Sequence, residues 1–168
     1  MTILFKYGYN NCIILLLEVN IKKFILLLFA LYSLFFVIGS VVAPLAAHYK
    51  FYELSAKLTS LFMFSCHQRP DRTFWLAGYP VALCCRCLGF YSGVFISATV
   101  SFCEKFKIVL KYFVLIFLFS LADILLNFLL NINTGNYIRF LAGFALGISF
   151  VIVVSSLFEI KRRFKNEG

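Results

Sequence analysis

The chain has 168 residues, 62% of them hydrophobic and 14% charged, with a net charge of +9. A soluble domain is nearer half apolar and a quarter charged, so a fold in water could not hide this much Phe and Leu, whereas a bilayer supplies the missing apolar solvent. The positive charge would point to nucleic acid in a soluble protein, but no basic helix face or basic–aromatic module is present, and lysines and arginines gather instead at the ends of apolar runs, where they set orientation and meet acidic lipid.

A spanning helix needs roughly 20 apolar residues. Phe24 to Ala47 is free of charge and follows Lys22 and Lys23, which predicts a first span. It is too long for a signal-peptide core and lacks a convincing cleavage site. Residues 11–17 are apolar too, but Glu18, Asn20 and the lysine pair cut them short, so 1–23 reads as an interfacial lead-in. Pro44 predicts a kink or a helix exit. Residues 49–65 are amphipathic: Leu54, Leu58, Leu61 and Phe62 recur at helical spacing, with Lys50, Glu53 and Lys57 on another side. That pattern predicts a helix at the interface or against the bundle, ended by a loop around Pro70.

Pro80 is expected to open the next helix, where its missing N–H costs nothing. A second span follows over 82–103, with Arg86 near its start, and then Lys105, Lys107 and Lys111. A third covers 112–132 and carries Asp123, the only acidic residue within a span. After the turn "NTGN", a fourth runs over 138–158 and meets the basic run "KRRFK". The expected fold class is therefore all-α: an integral membrane bundle of about four transmembrane helices plus one amphipathic interfacial helix. A single membrane domain fills 24–160, with a basic tail over 161–168. Four spans place both termini on one side, which collects ten Lys and Arg residues against six on the other. That balance favours a cell-membrane protein with cytoplasmic termini.

Two polar knots interrupt the oil: "CHQRPDRT" at 66–73 and "LCCRCLGFYSG" at 83–93. Four of the six cysteines lie within them, which is a local site and not a distributed disulfide framework. Cys84 and Cys87, at i and i+3, share a helix face, and their C-x-x-C spacing suits a tetrahedral metal or a redox dithiol. Cys66 or His67 upstream could complete a site for zinc or iron, with His48 as a further ligand. Three readings stand together here: a metal site on Cys66, His67, Cys84 and Cys87; a thiol–disulfide oxidoreductase favoured by the positive end of a helix and by Arg86; and a structural module with small buried thiols.

The remaining polar residues suggest a pocket. Arg69 and Arg72 flank Asp71 and read as a local ion-pair network or an anion site. Arg86 calls for an internal partner, for which Asp123 is the best fit, with Asn127 one turn later and Arg139 reaching back from the fourth span. Gly89 with Gly93, and Gly143 with Gly147, form small-x-x-x-small steps that let helices approach closely, within one bundle or between two copies. Phosphate loops, zincin motifs, nucleophile elbows and dinucleotide fingerprints are all absent, so no common enzyme class is declared.

These knots carry a resemblance. The chain resembles an uncharacterised family of small prokaryotic multi-pass membrane proteins, domain-of-unknown-function family number 2085. Cys66, His67, Gln68, Pro70 and Arg72 match its first motif, with Thr73 where Ser is usual. Cys84, Arg86, Cys87, Gly89, Tyr91 and Gly93 match its second. Asp123 matches a third with Asn127 at the Gln position, and Asn136, Arg139 and Gly143 match a fourth. Leu88 and Ala142 stand where hydroxyl residues are common. The resemblance implies a multi-pass membrane protein with a polar pocket of Gln68, Arg72, Arg86, Asp123, Asn127, Asn136 and Arg139 beside the Cys/His cluster. It implies no activity.

Overall fold

The computed structural model of the chain describes residues 2–103, 116–118, 120–122, 125 and 134–166. The first element, α1 (Thr2–His48), is a single helix that runs without a break through Glu18 and the lysine pair. Its packing is the reverse of a soluble helix. Ser33 and Ser40 are wholly buried, each bonding a carbonyl of the preceding turn, while Phe24, Leu31, Phe35 and Ile38 are half exposed or more. Small polar residues inside and large apolar ones outside are what a lipid solvent selects. Among the described residues, two stretches, Asn20–His48 and Gly135–Phe158, are long and apolar enough to cross a membrane.

Pro44 does not end α1, which continues to His48. It leaves a different mark. Proline has no N–H to give the carbonyl four residues back. That carbonyl belongs to Ser40, and the backbone N–H of Ala82 donates to it at 3.2 Å. The missing helix donor thus becomes a docking point for the segment that leads into the next long helix. Farther on, Lys50 turns left-handed at φ 66°, and bonds from Lys50 N to Ala47 O and Phe51 N to Ala46 O close the helix with a Schellman cap.

The cap reverses the chain into α2 (Tyr52–Phe62), which folds back on α1. Phe62 is fully buried against Gly39, where a Cβ would come 2.6 Å from its ring. Leu58 packs beside it, but Leu54 and Leu61 stay exposed, so only part of the amphipathic stripe meets the bundle.

A 3-10 turn over Pro70–Arg72 leads to a short antiparallel hairpin, β1 (Trp75–Leu76) and β2 (Tyr79–Pro80). Pro80 therefore does not open a helix. It sits on an edge strand opposite Trp75, a place that tolerates its missing donor, and Ala77 and Gly78 make the turn at positive φ. The next helix, α3 (Cys85–Cys103), begins five residues after Pro80.

The last helix, α4 (Gly135–Asn166), begins before and ends beyond the expected 138–158. It packs tightly along α3. A Cβ on Gly89 would strike the backbone of Phe140, on Gly93 that of Phe144, on Gly143 that of Arg86 and on Gly147 that of Phe90. Contacts advance together along both helices, so α3 and α4 run parallel. Both glycine steps are buried on each other within one chain, not presented to a second copy. By contrast, Phe36 of α1 stacks on Tyr91 while Leu26 packs with Val94 and Ala98, so α1 runs antiparallel to α3. Residues 116–118, 120–122 and 125 are helical, and the Ser120 hydroxyl donates to Ala142 O of α4 at 2.9 Å. Asp123 and Asn127 lie outside the described residues.

Candidate metal centre

The antiparallel run of α1 and the parallel run of α3 and α4 bring the C-terminal end of α1 and the N-terminal ends of α3 and α4 to one end of the molecule. Both polar knots lie there. Cys66 follows α2, and its N–H bonds the carbonyl of Phe62. Cys84 immediately precedes α3, with its carbonyl accepting from Leu88 N, and Cys87 lies in the first turn. The sulfurs of Cys66, Cys84 and Cys87 all lie within 4.8 Å of one another. Cys66 is buried and the other two are half-buried, packed among Phe36, Phe62 and Leu83.

Cys66 is the polar centre of this group. Its sulfur accepts the backbone N–H of Cys84 at 3.2 Å and that of Gln68 at 3.5 Å. Gln68 presents that N–H because its backbone is left-handed at φ 49°, and its side chain pins the turn by donating to Thr59 O at 2.6 Å. The neighbouring thiols of Cys84 and Cys87, and then the two backbone donors, hold the Cys66 thiol well below its ordinary value against the opposing effect of burial. Donors aimed at a sulfur favour thiolate, the form that binds metal.

The other expected ligands are elsewhere. His67 is exposed and is not grouped with the three sulfurs. His48 is exposed at the end of α1, its ring against Tyr49. Cys85 is wholly buried, within electrostatic reach of Arg139.

The expected polar pocket is divided among several places. Gln68 serves α2, and Arg72 pairs with Asp71 at 3.4 Å. Arg86 contributes its backbone to the contact with Gly143, and its pairing with Asp123 falls outside the described residues. Asn136 and Arg139 do come together, Nη1 of buried Arg139 donating to Asn136 Oδ1 at 3.5 Å. Asn136 in turn donates to Thr73 O at 3.0 Å.

Thr73, matched to the first motif but given no role there, is the residue whose part the structure supplies. It is 1% exposed, and its hydroxyl lies 2.9 and 2.8 Å from the carbonyl oxygens of Val81 and Leu83. It joins the first knot to the approach of α3, and through Asn136 it joins both to α4. The hydroxyl at the end of the first motif was the available signal: Ser and Thr share it.

The family described as "Predicted membrane protein (DUF2085)" matches residues 66–153, from the first knot to the body of α4. An uncharacterised protein of Methanocaldococcus jannaschii is 30% identical over 158 residues, which cover 86% of this chain and 99% of that one. An uncharacterised protein of Methanothermobacter thermautotrophicus is 31% identical over 110 residues, covering 57% and 89% respectively. No solved structure matches. The fold and the match together define a helical membrane protein. The chain belongs to the DUF2085 family of predicted membrane proteins.

Proposed function

We propose that this is a four-span integral membrane protein that holds one zinc or iron ion on the thiolates of Cys66, Cys84 and Cys87. The observation that carries the reading is the meeting of three sulfurs from two separate segments, one of them bonded by two backbone N–H groups. Zinc–sulfur bonds of about 2.3 Å place tetrahedral sulfurs about 3.8 Å apart. Atoms already within 4.8 Å can close on an ion with small side-chain rotations. Exposed His67 stands outside the proposed ligand set.

The helix directions support four spans. Because α3 and α4 are parallel, the chain between them joins the far end of one to the near end of the other, about 28 Å away at 1.5 Å per residue. Counting that return with α1, α3 and α4 supports four passes, and the charge balance favours termini in the cytoplasm with the sulfur site at the outer end.

The alternative is a thiol–disulfide oxidoreductase, favoured by the C-x-x-C pair at the start of α3. Cobalt(II) titration of the full chain, purified in detergent and stripped of metal, separates them. The metal reading expects about one equivalent with a thiolate-to-cobalt charge-transfer band. Cys84→Ser and Cys87→Ser abolish the band, while His67→Ala keeps it. Retention by the cysteine variants defeats the reading. A reversible dithiol titration without cobalt binding would establish the oxidoreductase instead. If neither occurs and the variants merely lose stability, the cluster is structural.

A further inference from the structure

Around the sulfur site lies a surface that metal binding does not explain. Among the large apolar side chains exposed at this one end are Tyr49, Phe51, Tyr52, Met63, Phe64, Trp75 and Tyr137. Phe64 is 97% exposed and Trp75 60%. They come from four places: the end of α1, the start of α2, the loop after α2 with the hairpin, and the first turn of α4. The Phe74 ring, next to Trp75, meets Tyr137 at 5.5 Å, so hairpin and α4 share one rim.

Two observations identify what covers this rim. First, it continues the exposed apolar stripe of α1, from Leu31 through Phe35, Ile38 and Val42 to Tyr49 and Phe51. Second, its make-up differs from that stripe: three tyrosines and a tryptophan, rings with polar edges, stand among Phe51, Met63, Phe64 and the leucines of α2, and exposed Lys50, Lys57 and Arg69 outnumber Glu53, while Arg72 and Asp71 pair off. Aromatic rings beside lysine and arginine match the boundary between headgroups and acyl chains, not the hydrocarbon interior or open water.

We propose that α2, the loop at 63–64 and the hairpin lie in the headgroup layer of an anionic bilayer, forming an aromatic–basic collar that sets the sulfur site at interfacial depth. The collar stands whether or not a metal binds.

Trp75 is the chain's only tryptophan, so its emission reports the depth of the hairpin. The test uses wild-type protein in phosphatidylcholine–phosphatidylglycerol vesicles whose acyl chains are brominated either near the carbonyl or near the terminal methyl. Shallow bromines are expected to quench Trp75 about twofold more than deep ones, with acrylamide quenching weaker than in detergent. A double variant, Trp75→Phe with Phe64→Trp, should give the same order and extend the collar to the loop. Stronger quenching by deep bromines places the hairpin in the hydrocarbon and overturns the proposal. Full acrylamide quenching without bromine quenching places it in water, with the same consequence. Protection from both quenchers means that protein, including a second copy, covers the rim, and that too rules the collar out.

Discussion

Two residues at the site act through single polar atoms. Thr73 holds one hydroxyl proton between two backbone carbonyls in a fully buried setting, so Thr73→Val removes the donor they share and should destabilise the fold by about 1–2 kcal/mol. Thr73→Ser, which keeps the oxygen, should stay close to wild type. Thermal loss of helical circular dichroism in detergent measures both, and equal stability of the two variants would contradict the role. Cys66 shows the same dependence on local donors. Its pKa is lowered, so the charged form persists as pH falls below the ordinary thiol value near 8.5. In metal-free protein, ultraviolet thiolate absorbance should report one thiolate that persists at pH values where the other thiols are protonated and that is missing from Cys66→Ala. A titration in which every thiolate is lost near pH 8–9 would remove this asymmetry.

At the scale of elements, the parallel contact of α3 and α4 depends on glycines that leave room for a facing carbonyl. Gly143→Ala would drive a methyl group into Arg86 O, so the helices must separate, at a cost of about 1–3 kcal/mol. Because that shift moves Arg86 and with it the first turn of α3, metal affinity should fall too. Gly78→Ala, at a hairpin tip with nothing nearby, serves as a comparison for the left-handed backbone alone, without a packing clash. Unchanged thermal stability and metal affinity in Gly143→Ala would show that the close approach is not needed. The glycine spacing was legible in the sequence because small-x-x-x-small steps have one dominant use, but the sequence did not say that the two faces meet each other. The hairpin was not legible: Ala77-Gly78 lacks the Asn or Asp of a strong turn signal, and Pro80 fits a helix start as well as an edge strand. The way α1 accommodates Pro44 within the expected span was not legible either, since the carbonyl that proline orphans is satisfied by Ala82, 42 residues away from Ser40.

For the whole molecule, composition alone gave the bilayer, because no arrangement of 168 residues could bury a 62% apolar chain in water. Linking the two cysteine knots was legible from their motif spacing. Which residues face one another within them was not, since that depends on a left-handed Gln68 and on the level at which α1 meets α3. Hence Cys66 joined Cys84 and Cys87 while adjacent His67 turned outward. The proposed orientation rests on charge: a membrane-impermeant thiol reagent should label half-buried Cys84 or Cys87 in intact cells once metal is removed, and labelling only after lysis would reverse it. The central claim is that three sulfurs jointly hold one ion, and metal content of the full chain purified in detergent tests it most directly. Wild-type protein should carry about one zinc or iron per chain; Cys66→Ser should lose it, and Cys85→Ser, altered outside the trio, should keep it. Wild-type protein without stoichiometric metal, or Cys66→Ser that retains it, would contradict the account.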